Sequence, residues 1–340
     1  MANILTMGEI MLRLSPPKGK RLSEKGSFDV FYGGGAANVA VSLARFNHTC
    51  SFFTKLPDHD IGDAVIGELK RQNVHTSHIL RGNGRLGIYY LEHGAGVRPS
   101  QVIYDRQDSV FCKMDPDEVD FDALFQGIDW FHFTGITPAL SLSARKLTLK
   151  AVQAAKKAGV TISVDLNFRN KLWTEKEAQA TMTTLMPYVD VIIGNEEDAE
   201  KSLGYSLGKT DVTQGNLDMD AYRELMRKLQ KDFDLKAVAF SLRESKSADK
   251  NFWSGLIYTE KGMHRSHRYE LDIVDRIGGG DAFAAGVIHG ISERMDLSET
   301  IEFAVASGAL KHTIAGDFNL VCVKEVERLM HGDKTGRVKR

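Results

Sequence analysis

Two glycine-rich turns carry the residue types best suited to chemistry. In FYGGGAANVAVSLARF, strand-like residues run into Gly33, Gly34 and Gly35 and then into a helix whose Val39, Leu43 and Phe46 share one face. Three consecutive glycines remove every Cβ where strand becomes helix, so a ligand can touch the backbone. Ala36 and Ala37 keep the approach open, and Asn38 offers both a donor and an acceptor. Helix-on-sheet packing alone would need one glycine, not three. In DIVDRIGGGDAFAAGVIHG a strand again leads into Gly278, Gly279 and Gly280, and Asp281 opens an Ala-rich helix. Backbone N–H groups there would converge on one spot with the positive helix end behind them, an anion hole. An Asp in a first helical turn can also serve as a cap. Its pairing with the anion hole is what phosphoryl transfer to an alcohol requires: donors for the charge that spreads over the moving phosphoryl group, and Asp281 as general base for the attacking hydroxyl. NEED, Asn195 to Asp198, follows the strand VDVIIG and places acidic groups at a strand's C-terminal edge, where magnesium could be held through water.

Other patterns carry less. GNGRLG, with Gly82, Gly84 and Gly87, satisfies a dinucleotide fingerprint, and Asp105 stands at the distance of a ribose-binding acid. The residues that follow are IYYLE, strand formers instead of the helix the fingerprint needs, so a plain turn is the reading and a nicotinamide dehydrogenase the rival it leaves. GYSLGKT (204–210) has three residues between its glycines where the Walker pattern needs four, and no apolar strand precedes it; it reads as a surface loop. The pairs His75/His78 and His264/His267 lack neighbouring acids or cysteines to complete a metal site.

The two turns need elements to hold them. Strand-like DWFHFTG (129–135), TISVDLN (161–167), VDVIIGN (189–195) and AVAFSL (237–242) alternate with helical stretches over 141–158 and 175–186, and helices follow from Asp281 to Ser292 and Ser298 to Thr313. This alternation predicts βαβ units and an α/β fold, a mostly parallel sheet sandwiched by helices. LGIYYLE (86–92) and SQVIYDR (100–106) are joined by a short loop and read as antiparallel; with EIMLRLS (9–15) and SFDVFYG (27–33) they predict a small flanking sheet. The organisation expected is one α/β domain over 1–340 with a lid from the discontinuous segments 9–33 and 86–108.

Charge and composition narrow the partners. The 44 Lys+Arg and 45 Asp+Glu leave a net charge of −1, which argues against a dedicated nucleic-acid binder. No run approaches the roughly 18 apolar residues of a membrane span. Cys50, Cys112 and Cys322 stand too far apart for a zinc ribbon and are odd in number, which points to a reducing, cytoplasmic location.

In this order the motifs resemble the ribokinase-like (PfkB) family of ATP-dependent sugar kinases, over essentially the whole chain. The N-terminal Gly-Gly turn and Asn correspond to Gly33 to Asn38; the C-terminal signature DTxGAGD corresponds to DRIGGGD (275–281), with Arg276 in place of Thr and Gly279 in place of Ala. The family's NxxE motif is met by Asn195 and a shorter acid, Asp198. GEIMLRLSPP, WFHFTGITPAL, DLNFRNKLW and KHTIAGDF are similar to the members that phosphorylate 2-keto-3-deoxygluconate. The resemblance implies ATP and Mg2+, Asp281 as base with Gly278, Gly279 and Gly280 as anion hole, and a sugar acid contacting Gly34, Gly35, Asn38, Tyr89, Tyr104, Arg106, Arg169 and Asp317. The chemistry of Arg106 and Arg169 agrees, since two arginines could grip a carboxylate and a neutral sugar would leave them unpaired. A neutral keto sugar, fructose or ribose, is the alternative acceptor. On the nucleotide side the usual TxGxxG is absent from SLRESKS, so Ser241 and Arg243 are candidate phosphate contacts beside Asn195, with Ala306 and Ser307 near the adenine. A homodimer or larger homo-oligomer is implied by resemblance alone.

Overall fold

The computed structural model describes residues 1–208 and 218–332. Its strands, in chain order, are β1 (Asn3–Met7), β2 (Met11–Ser15), β3 (Asp29–Gly33), β4 (Thr49–Pro57), β5 (Ile79–Gly82), β6 (Gly87–Glu92), β7 (Gln101–Asp105), β8 (Trp130–Thr134), β9 (Thr161–Asp165), β10 (Val191–Gly194), β11 (Ala237–Ser245), β12 (Lys250–Thr259), β13 (Gly262–Arg265) and β14 (Tyr269–Asp272). The α-helices are α1 (Gly35–Arg45), α2 (Asp60–Arg71), α3 (Phe121–Leu124), α4 (Ile136–Ala139), α5 (Leu142–Lys157), α6 (Glu175–Leu185), α7 (Glu196–Leu203), α8 (Met219–Asp232), α9 (Gly279–Ser292), α10 (Leu297–Lys311) and α11 (Val323–Met330).

The main sheet runs β5-β4-β1-β8-β9-β10-β11 with every pair parallel. β12 continues it antiparallel to β11, and β13 and β14 both pair with β12. Side chains alternate between two apolar layers: Leu5, Phe131, Val164 and Ile192 pack with Leu147, Met182 and Leu229 of α5, α6 and α8, whereas Ile4, Trp130 and Ile193 pack with Leu43, Phe283 and Val305 of α1, α9 and α10. Burial on both faces explains why these strands read as continuous apolar runs. In the second layer Gly286 and Gly290 let α10 lie close on α9, because a Cβ on either would run into Ala304 or Thr300.

A second sheet has the order β3-β2-β6-β7, with β6 antiparallel to β7 as the sequence predicts and β2 parallel to β6. The chain reaches it by breaking after β1: Gly8 to Ile10 leave the main sheet, and the buried Glu9 side chain is bound by Arg106 and Ser109. GNGRLG joins β5 to β6 as a turn with no helix after it. In GYSLGKT, Gly204 caps α7 in the left-handed region, while Lys209 and Thr210 lie outside the described residues. No helix among the described residues is long and apolar enough to cross a membrane.

Candidate active site

The carboxyl ends of the main strands open into a cleft of about 500 Å³ roofed by the second sheet, a size in the range of small-ligand sites. Three helices point their N-termini at it: α1 after Gly34, α7 after Asn195 and α9 after Gly278. Gly278 is in the left-handed region at φ +83°, and a Cβ there would overlap the Asp317 carbonyl. No side chain caps α9, so its first-turn N–H groups remain for a ligand. Gly280 lines the cleft with nothing within 4 Å of where its Cβ would be.

Asp281 is half-buried in the first turn of α9 and accepts a hydrogen bond from Asn38 Nδ2 at 2.7 Å. Asn38 Oδ1 in turn accepts from Gly34 N–H at 3.3 Å, so the first glycine turn orients the acid of the second. Enclosure by protein pushes the Asp281 carboxyl up to about 6, against the opposing pull of Asn38 and Arg169. That keeps it ionised near neutrality and able to accept a proton.

The glycines of the first turn have a packing task as well. A Cβ on Gly33 would overlap Asp317, and one on Gly34 would overlap the Glu9 carbonyl. Packing therefore demands two of the three, more than the sequence reading assigned to it. Gly279 does not line the cleft; the fully buried His312 ring fills the space its Cβ would need, with Nδ1 donating to the Gly308 carbonyl at 2.6 Å. The imidazole packed behind this position leaves no room for a side chain on it. Gly279→Ala should cost about 1–3 kcal/mol by overpacking. Urea unfolding of Gly279→Ala, His312→Ala and the double variant checks this: the two losses should add to clearly more than the double loses.

Further carboxylates line the same cleft. Asn195 caps α7 by accepting from Asp198 N–H at 2.8 Å, and Asp198 accepts from Phe168 N–H at 2.9 Å. Burial pushes Asp198 up to about 6, and burial followed by the proximity of Asp198 and Asp281 holds Asp165 well above the usual carboxylate range. Asp165 ends β9 in the cleft, and the buried Asn167 Oδ1 beside it has no hydrogen-bond partner. Neither residue was singled out by sequence, although Asp at the C-terminal end of a core strand is a usable signal. Among the described residues no three acidic, His or Cys side chains are grouped to hold a metal ion directly.

The arginines divide. Arg106 lines the cleft, but its Nε donates to Glu9 Oε2 at 2.8 Å and its terminal nitrogen binds the same oxygen, so it is paired without any ligand. Arg169 donates only to its neighbour's carbonyl, Phe168 O, at 2.8 Å and has no carboxylate within ion-pair distance among the described residues. The premise of two unpaired guanidinium groups therefore holds for Arg169 and not for Arg106. Ser241 and Arg243 lie on one side of β11 and line the cleft; Arg243 is exposed, sits over Trp253 at 5.5 Å, and its guanidinium is pushed down by partial desolvation in the cleft and by Arg276 and Arg169. Arg276 is anchored by the carbonyls of Ser247 and Ala248 and by Asn251.

Asp317 and Tyr89 face the cleft with their polar atoms committed. The Tyr89 hydroxyl donates to Asp317 Oδ1, and Oδ2 takes Arg13 at 2.8 Å; Arg13 also binds Asp275 at 2.7 Å. Tyr104 packs on Tyr89 with ring centres 5.9 Å apart. Ala306 and Ser307 are not brought to the cleft: both are fully buried in α10, and the Ser307 hydroxyl donates to the Ala282 carbonyl. The small side chains there let α10 pack on α9.

A helix N-terminus with free N–H groups, a carboxylate beside it and the unpaired Arg169 guanidinium are what transfer of a phosphoryl group requires. Residues 1–319 match the pfkB family carbohydrate kinase, and the chain belongs to that family. It is 34% identical to the 2-dehydro-3-deoxygalactonokinase of Haloferax volcanii, over 98% of each chain. Among solved structures it is similar to the 2-dehydro-3-deoxygluconokinase of Thermotoga maritima, with TM-score 0.94, 44% identity and coverage of 97% of this chain and 98% of that one. A PfkB family carbohydrate kinase from Listeria grayi gives TM-score 0.89 and 33% identity, covering 97% of this chain and 99% of the other.

Proposed function

We propose that the protein transfers the γ-phosphoryl group of ATP to the 6-hydroxyl of 2-keto-3-deoxy-D-gluconate. The observation that carries this is Asp281, held by Asn38 at the uncapped N-terminus of α9. Asp281 takes the hydroxyl proton as the sugar oxygen bonds to phosphorus; the bond from phosphorus to the bridging oxygen breaks and ADP leaves. The first-turn N–H groups of α9 bind the charge that gathers on the phosphoryl oxygens. Ser241 and Arg243 meet the nucleotide phosphates. The Asp165 and Asp198 carboxylates, with the unpartnered Asn167 oxygen, fit a hydrated cation better than a directly ligated one, the mode magnesium favours beside phosphates. Magnesium bound there would neutralise phosphate charge.

A sugar acid is favoured over a neutral keto sugar by Arg169, whose guanidinium lacks an anionic partner in the cleft. Arg169→Ala should raise KM for the sugar acid about 10–100-fold, the scale of a lost charged hydrogen bond, and KM for ATP far less. Steady-state kinetics with each substrate varied decides it, and equal effects on both would remove Arg169 from the carboxylate.

The second sheet, from the segments 9–33 and 86–108, acts as the lid over the sugar. Its face turned away from the cleft carries Leu14, Val30, Ile88 and Tyr90, each at least partly exposed, and is the natural surface for a homodimer. Light scattering should give twice the 37.8 kDa chain mass; a monomer at micromolar concentration would discard this contact. The test of the function is ADP release with ATP and magnesium across 2-keto-3-deoxygluconate, its galactonate epimer, fructose, ribose and gluconate. Preference for fructose or ribose would keep the kinase chemistry and overturn the acceptor.

A further inference from the structure

Beneath the α9 turn lies a cation that none of the steps above uses. Lys311, the last residue of α10, is the one lysine among the described residues that is fully buried. Its Nζ donates to the Ile314 carbonyl at 3.0 Å, and no carboxylate lies within ion-pair distance of it among the described residues. An ammonium has three donors, so this one is both desolvated and incompletely bonded, a costly arrangement. Its Cε is 3.1 Å from the point where a Cβ would stand on Gly278, which puts the side chain against the N-cap of α9. Arg13, Asp275 and Asp317 complete the buried charges around it, two cations facing two anions, and Asp281 is the next charge toward the cleft.

We propose that Lys311 is a positioning residue for phosphoryl transfer: its ammonium, enclosed behind Gly278, is a fixed positive charge that backs the N-terminus of α9 where the transferred phosphoryl group gathers negative charge. The inference rests on the phosphoryl-transfer reading above. In low dielectric a buried charge acts over a longer range than an exposed one, and it needs no reorganisation during the reaction. The approach of α10 that delivers it is set by Gly286 and Gly290 on α9. The same charge favours the ionised form of Asp281, in company with Arg169 and the Asn38 hydrogen bond and against Asp317. Asp165 is a further acid facing that group.

The test compares the unmodified protein with Lys311→Gln, which keeps a donor for Ile314, and Lys311→Met, which does not. Both should lose about 10–100-fold in kcat with KM for either substrate changed less than threefold, and in both the acid limb of the pH–rate profile should move to higher pH. A merely structural lysine would give a Gln variant with the original kcat and the original acid limb, and that result overturns the inference. Should either single variant fail to fold, Lys311→Met/Asp275→Asn removes one cation and one anion together; a folded double variant with low kcat supports the inference, and one with restored kcat defeats it. Absence of turnover by the unmodified protein with every sugar acid overturns the parent reading and this one with it, whereas normal turnover with indifferent variants overturns this one alone.

Discussion

Asp281→Asn should lower kcat by about 10²–10⁴-fold, the contribution of a positioned general base, while leaving the Kd for ATP within a few-fold. The amide keeps the shape of the carboxylate and cannot accept the hydroxyl proton. It also faces the Asn38 amide that now donates to Asp281 at 2.7 Å, a contact that an oxygen of the new amide can keep. Stopped-flow turnover with calorimetric ATP binding separates the two quantities. The pH dependence is tied to the same group: because Asp281 is pushed up to about 6 by its enclosure, activity of the unmodified enzyme should fall as pH drops through about 6, where the base becomes protonated. A variant with ordinary activity, or an acid limb that survives the substitution unchanged, would take Asp281 out of the mechanism.

Arg13→Met should destabilise the protein by about 3–5 kcal/mol, the usual cost of breaking a buried ion pair from one side. Arg13 comes from the second sheet, is fully buried, and binds Asp317 at 2.8 Å, Asp275 at 2.7 Å and Ser15 at 2.9 Å. Removing it leaves two carboxylates enclosed beside the glycine turn with only Lys311 to offset them. The turn the two aspartates hold would then loosen. Urea unfolding gives the loss directly; a change below about 1 kcal/mol would mean that Asp275 and Asp317 have other compensation.

What could be read from sequence follows how local each signal is. The parallel strands and their helices are visible because a strand buried on both faces is a continuous apolar run, and the glycine turns are visible because three glycines in a row are rare outside a tight junction. The strands β6 and β7 announce themselves by alternation and a short loop. The antiparallel extension β12 to β14 lies beyond that reading, since its pairing depends on which residues meet across the hairpin and not on any run of its own. The partners of Arg106 and Arg13 are equally hidden: Glu9 is 97 residues from Arg106, and Asp317 is 304 residues from Arg13. Ala306 and Ser307 misled for a related reason, because small residues on a helix suit close helix packing as well as close ligand approach, and only the neighbouring α9 decides between them.

The 304-residue span between Arg13 and Asp317 also bears on how the molecule is made. A ribosome adding roughly 5–20 residues per second needs about 15–60 s to supply the second residue after the first. The second sheet can pair its strands once β7 has emerged, yet until Asp275 is made the charge at its base has no counter-ion, and until Asp317 follows it has only one of its two. Closure of the roof onto the main sheet is thus a late event in biogenesis, available only once nearly the whole chain has emerged. C-terminal truncations ending before Asp317 should accumulate with the roof open and be cleaved by protease within residues 9–33.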